Sequence, residues 1–177
     1  ILDRYIWGNA ERVSQEAPVI LLRADHDEVR LGGAANVANM VRGLEADVTL
    51  AAVVGADRDG DVVRSELEQC GVDCSAVLTD RSRPTTVKER FIGRAQNRHP
   101  HQMLRVDREV RDVISEELAE RLVSLLVATL DEYQAVLVAD YGKGVVSART
   151  LGPVIAAARS KGIPVLVDPR PGQDYSQ

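Results

Sequence analysis

Between Gln134 and Pro171 the chain reads QAVLVADYGKGVVSARTLGPVIAAARSKGIPVLVDPRP, two short apolar runs around one amphipathic segment. The first run, over 134–142, is continuous enough to be a strand buried on both faces, and it passes into an aspartate at Asp140. The second, over 163–171, does the same and reaches Asp168. The segment between them, 147–162, carries helical spacing and stops on a glycine. Strand, helix and strand in this order form a parallel pair, because only a crossover helix returns the chain to start a parallel neighbour.

The same rhythm extends upstream. SEELAERLVSLLVATLDEY (115–133) opens on a Ser115 cap signal followed by glutamates, with Leu118, Leu122, Leu125, Leu126 and Leu130 along one side of a helix. ADVTLAAVVG (46–55) has the β-branched character of a buried strand and follows a helix-like segment starting near Gly33. DRDGDVVRSELEQCG (57–71) is helical, with Val62, Val63, Leu67 and Cys70 at helical spacing, and AVLTD (76–80) is a short strand. This alternation predicts an α/β fold, a parallel sheet flanked by helices on both faces. Two regions break it, at about 17–31 and 84–107. There Val87, Glu89, Phe91 and Ile92 mix apolar and polar positions, NRHPH supplies a turn, and no helix separates the halves, so antiparallel strands forming a small flap beside the main sheet are expected.

Length and charge narrow the function. The 177 residues match one domain, and 45% hydrophobic residues suffice for a core. A net charge of −5 offers no basic field for a nucleic-acid backbone. No apolar run nears the roughly 20 residues of a membrane helix, and no signal peptide is apparent, so the cytoplasm is the expected location. Cys70 and Cys74 lack the second ligand pair of a structural zinc site and read as reduced thiols.

Several strings could carry chemistry. In LGGAANVANMVRGL (31–44), Gly32 and Gly33 allow a ligand to approach the backbone at a helix start, and Asn36 can donate and accept as a sugar hydroxyl does. Residue chemistry alone leaves this stretch open between a ligand cradle and a plain helix start. Asp140 and Lys143 follow one strand, and Asp168 and Arg170 follow the next, at the carboxyl ends where parallel sheets hold ligands; helix capping is the competing account. YGKG is not a nucleotide P-loop, since Leu137 stands where its first glycine belongs and no Ser or Thr follows Lys143. Lys88 and Arg90 share one strand face and suit a phosphate, or else form a solvated edge. Asp57, Asp59, Asp61 and Glu68 have calcium-loop spacing, but Val62 occupies the position that requires glycine. His99 and His101 lack an adjoining ligand cluster, so a surface turn is expected there.

Taken together, GGAANVANMVRGLEADVTLAAVVGADRDGD resembles the first signature of the ribokinase (phosphofructokinase B) carbohydrate kinases, with Glu45 where that family usually has glycine or serine. LDRYIWG, RVSQEAPV, GGAANVA, TTVKER, LRVDRE, DYGKGV and PVLVDPR further resemble the kinase part of the bacterial D-glycero-β-D-manno-heptose-7-phosphate kinases. The resemblance implies a ribokinase-like sheet with a small β lid that also forms a homodimer interface. It implies transfer of the ATP γ-phosphoryl, with Mg²⁺, to the anomeric hydroxyl of heptose 7-phosphate. By motif, Asp3, Gly32, Gly33 and Asn36 would hold sugar hydroxyls, Lys88 and Arg90 the sugar phosphate, and Asp140 and Lys143 the cleft under the lid. Asp168 and Arg170, the latter where relatives usually have lysine, are the candidates for the cofactor side. GAGD, which in that family supplies the anion hole and catalytic base, does not occur in these 177 residues, nor does the strand that normally precedes LDRY. The expectation is therefore an incomplete kinase domain that binds sugar phosphate and does not turn it over alone. Another ribokinase-type sugar kinase is the nearest alternative, and a non-catalytic sugar-binding or dimerisation module is the alternative of another class.

Overall fold

The computed structural model describes residues 1–94, 99–172 and 175. The two strand runs flanking the 147–162 segment form a parallel pair, β7 (Val136–Ala139) and β8 (Val165–Asp168), in register from Val136↔Val165 to Ala139↔Asp168. The crossover is helix α4 (Ala148–Ser160), capped by Ser147 in a reciprocal box with Thr150. Leu151 and Ile155 of α4 bury against Val138, with Val136, Val165 and Val167 beside them.

A second parallel pair, β3 (Ala52–Gly55) and β4 (Val77–Asp80), surrounds helix α2 (Arg58–Gln69). The strand expected over 46–55 is thus shorter than the apolar run, with Thr49 making only an isolated bridge to Asp73. Helix α1 (Ala34–Arg42) precedes this unit. Helix α3 (Glu116–Thr129), capped by Ser115, precedes β7. Leu122 and Ala119 of α3 pack against Leu78 and Ile114, whereas Leu125, expected on the buried side, is exposed. The helix buries a narrower stripe than its leucines suggest.

The two irregular regions are strands, and so is the segment before them. β1 (Leu2–Val13), β2 (Ile20–Leu31), β5 (Val87–Arg94) and β6 (His101–Arg108) form one sheet in the order β2-β1-β5-β6. The outer pairs are antiparallel, as expected of the flap, and the central β1–β5 pair is parallel. β1 was not apparent from the sequence, and β5 lies inside the sheet, so the edge-strand account of Lys88 and Arg90 does not hold. Of the NRHPH turn, Asn97 and Arg98 lie outside the described residues.

One face of this sheet seats on the core. Leu2 and Val87 are almost wholly buried with Leu31, Ala35, Val54 and Leu67, and each leucine or valine among them contributes about 1.5–3 kcal/mol by leaving water. On the same face Arg4 bridges Asp59 of α2 at 2.5 Å and Glu89 of β5 at 3.2 Å, and Arg108 closes on Glu89 at 3.1 Å. A buried Glu89 is tolerable because two guanidiniums share it.

Candidate functional site

The chain passes from β2 into α1 through Gly32 and Gly33. Gly33 occupies φ 54°, ψ −134°, a conformation closed to side chains, and α1 begins there without a side-chain cap. Asp57, Ser115 and Ser147 cap α2, α3 and α4 by accepting from backbone N–H groups. Among the described residues no side chain satisfies the first N–H groups of α1. Gly32 lies directly under the Asp3 carboxylate, where any Cβ would overlap Oδ2. Asn36, one turn into α1, is exposed, its amide touching only the Met40 sulfur at 3.6 Å among the described residues.

The sheet turns a charged face toward this turn. The parallel register sets Asp3 beside Lys88 and Tyr5 beside Arg90, and β2 adds Arg30 opposite Asp3. Arg90 Nη1 donates to Asp3 Oδ1 at 2.7 Å. The guanidinium carbons of Arg30 and Arg90 both lie over the Tyr5 ring, at 5.0 and 5.1 Å from its centroid. Burial alone would pull the Arg90 guanidinium down, but the hydrogen bond and charge of Asp3 outweigh it and raise it above its ordinary value. Lys88 forms no ion pair among the described residues.

The β7 and β8 ends border this turn from the other side. A Cβ on Gly33 would come 3.3 Å from the Tyr141 ring. Asp140 is buried. Its Oδ1 accepts the Gly142 N–H at 2.7 Å, its Oδ2 accepts the Tyr175 hydroxyl at 2.7 Å, and Arg170 Nε stands 3.9 Å away. The capping account of Asp140 is therefore realised in part: its carboxylate holds the DYGKG turn. Lys143 pairs with Glu109, just beyond β6, and together with Arg111 it keeps the Glu109 carboxyl below its usual range despite burial. Arg83 donates to the carbonyls of Asp112, Val113 and Lys143 and so ties the same loop to the entry of β5. Asp168 is exposed at the end of β8, where its carbonyl accepts the Asp140 N–H at 3.3 Å.

The structure thus gathers Asp3, Gly32, Gly33, Lys88 and Arg90, sets Asn36 one turn away, and brings Lys143 to the same end of β1. Asp140, Asp168 and Arg170 form a second group across Tyr141. Tyr5, Arg30, Glu109 and Tyr175 were not singled out by sequence; for Tyr5 the only signal was its place in an aromatic run beside Trp7.

Other candidates resolve into structure. Asp57 accepts from the Gly60 N–H at 2.8 Å and from Thr85, and Asp59 is held by Arg4, so the calcium-like spacing is already used. Among the described residues no cluster of three His, Cys, Asp or Glu side chains could hold a metal, and both cysteines are free thiols. Two surface depressions, of about 530 and 410 Å³, share Gly71 and Asp73 at the opposite end of the β3–β4 pair. They lie at the amino ends of β3 and β4, whereas the polar side chains converge at the β1, β5 and β7 ends around Gly32 and Gly33. No helix among the described residues is long and apolar enough to cross a membrane.

Parallel strand pairs with crossover helices, beneath a charged mixed sheet, define a ribokinase-like α/β fold. It is shared with Arabidopsis thaliana ribokinase complexed with ribose and ATP (TM-score 0.61, 17% identity, 94% of this chain and 49% of that chain). It is also shared with Escherichia coli phosphofructokinase-2 in complex with fructose-6-phosphate (TM-score 0.64, 18% identity, 94% and 50%). The pfkB family carbohydrate kinase model matches residues 2–177, and the chain belongs to that family. It is 42% identical over all 177 residues to the Bifunctional protein HldE of Geobacter sulfurreducens and 41% identical to that of Helicobacter pylori. The chain spans 35% and 37% of the length of those two relatives.

Proposed function

We propose that this chain is the sugar-phosphate-binding part of an ATP-dependent carbohydrate kinase acting in the cytoplasm on the anomeric hydroxyl of D-glycero-D-manno-heptose 7-phosphate. The observation that carries the reading is the Asp3 carboxylate, held by Arg90 directly over Gly32 at the uncapped start of α1, with Lys88 alongside. A fixed carboxylate accepts from sugar hydroxyls, Asn36 and the α1 N–H groups supply donors, and a compact ammonium neutralises a phosphate. Phosphoryl transfer depends on positioning and water exclusion, which a sheet standing over the sugar provides as a lid. ATP with Mg²⁺ supplies the transferred group, and Asp168 and Arg170, at the carboxyl end of β8, are the residues here that would face it. Arg170 fits a phosphate by charge, and the exposed Asp168 carboxylate fits the cation's hard-oxygen preference.

The 177 residues contain no GAGD, so the chain alone binds sugar phosphate without turning it over. The lid pairs two copies through the row Ile6, Phe91 and Leu104, which stand in register. The test is a panel of sugar phosphates offered to the full-length protein with ATP. Heptose 7-phosphate is expected to give the highest kcat/KM, and Asn36→Ala to raise its KM. Preference for a fructose or tagatose phosphate would replace the substrate, and binding without turnover by the full-length protein would favour a non-catalytic module.

A further inference from the structure

Lys88 and Arg90 share a strand face, yet their surroundings differ. Arg90 reaches back along the sheet to Asp3, two residues from its own register partner Tyr5, and donates at 2.7 Å with both side chains less than one-fifth exposed. Its guanidinium also lies over the Tyr5 ring. Recruiting Arg90 to a phosphate would break a shielded ion pair and leave the Asp3 carboxylate without its counter-charge, a costly exchange. Lys88 stands beside Asp3 in register, half-buried and in no ion pair among the described residues, with three rotatable donors. Arg30 is the other cation near Tyr5, but its side chain is 61% exposed and pairs with Glu28, so water screens what it offers.

We infer that Arg90 is a positioning residue that fixes the Asp3 carboxylate for sugar hydroxyls, and that Lys88 is the strand cation that takes the substrate's phosphate. This rests on the sugar-phosphate kinase reading and divides its two cations between two tasks. Tyr5 completes the device: its ring lies under the Arg90 guanidinium, 5.1 Å from centroid to carbon, and supports the side chain that reaches Asp3. The substrate's hydroxyl end and its phosphate end are then read by separate groups on one strand pair.

The division is read from steady-state kinetics of the full-length kinase with heptose 7-phosphate and with the unphosphorylated heptose. K88A is expected to raise KM for the phosphorylated sugar about tenfold and to leave KM for the unphosphorylated sugar unchanged. R90A is expected to raise KM for both sugars equally. In a D3N background R90A is expected to add less than about twofold, since residues acting as one unit do not add. R90K, able to donate one hydrogen bond to Asp3, is expected to recover part of the loss, and it carries the same cycle if R90A does not fold. A phosphate-selective loss in R90A, or R90A and D3N losses that multiply, overturns the inference. Turnover of the unphosphorylated sugar alone by the unaltered enzyme overturns the sugar-phosphate reading, while the Arg90–Asp3 cycle still reads out on that substrate.

Discussion

Thr85 gives the Asp57 carboxylate both its backbone N–H, at 2.8 Å, and its hydroxyl, at 2.7 Å, while Asp57 also accepts the Gly60 N–H at the start of α2. One side chain therefore fastens a helix cap to the residue that leads into β5. Thr85 Oγ1 in turn accepts the Gly55 N–H at 2.8 Å, and a Cβ on Gly55 would lie 2.5 Å from Asp57 Oδ2, so the knot has room only for glycine. Asp57→Ala removes the cap and leaves half-buried donors unmatched; a loss of about 2–3 kcal/mol is expected in urea unfolding. Asp57→Asn should lose less, because its amide oxygen still accepts. Equal losses for the two variants would show that the cap geometry matters less than the charge.

The same carboxylate predicts acid sensitivity. Burial pushes the Asp57 carboxyl up, but the hydrogen bonds from Thr85 and Gly60 outweigh it and hold it below the usual range; Ser82 and Arg83 do the same for Asp80. A carboxyl lower in the folded than in the unfolded chain contributes stability above the unfolded value, about 4, and that contribution is lost as pH falls through and below it. Melting temperature is expected to drop between pH 5 and 3, and to drop less in Asp57→Asn, which has one fewer such group. Parallel pH profiles for the two proteins would remove Asp57 from the acid response.

The βαβ units were legible because their signals are local: a serine cap, an apolar run, a glycine stop. β1 was not, because LDRYIWGNAERV alternates charged and aromatic residues, and its buried face carries Arg4, whose partners Asp59 and Glu89 lie 55 and 85 residues away. An arginine in that position reads as solvent-facing until both partners are known. The candidate turn GGAAN was legible as a place of close approach, since that needs only glycine. The pairing of Asp3 with Arg90 spans 87 residues and no spacing rule reaches it. For the same reason Lys143, read as a cleft residue, could not be seen to meet Glu109.

Glu45, which the sequence set apart from the expected family pattern, is the non-glycine residue at positive φ among the described residues, 66°, just after α1. Its backbone N–H still closes the turn to the Arg42 carbonyl at 2.9 Å. A left-handed backbone costs an ordinary residue about 1–2 kcal/mol, partly offset because glycine loses more entropy on folding. Glu45→Gly is expected to stabilise the chain by about 0.5–1 kcal/mol in urea unfolding without changing sugar affinity. A destabilised variant would mean that the glutamate side chain supplies more than the strain removes.

Leu104 is 56% exposed on β6, in register with Phe91 and, through it, Ile6. The row continues the face of Leu2 and Val87 beyond the core, and an apolar row that ends in an exposed leucine calls for a partner. If two copies pair there, Leu104→Glu places a charge in the contact and should convert a dimer to a monomer in sedimentation, with the melting temperature of the monomer's core little altered. An unchanged sedimentation coefficient would remove this face from the interface.

Gly32 offers the sharpest test of the candidate site because its neighbour does not confound it. At Gly33 any side chain is strained by the backbone itself, whereas Gly32 lacks the positive φ that excludes one, and the obstacle is only the Asp3 carboxylate lying where a Cβ would go. Its N–H, bonded to the Ile1 carbonyl at 3.0 Å, remains available to alanine. Gly32→Ala therefore displaces the Asp3 carboxylate and leaves the turn largely intact. If that carboxylate binds sugar hydroxyls, KM for the sugar phosphate should rise about tenfold or more, the size of a lost hydrogen bond to a charged group. The rise should be smaller when Asp3 is already Asn. A Gly32→Ala enzyme with an unaltered KM would mean that Asp3 packs over the turn without touching the substrate, and the cradle would revert to a plain helix start.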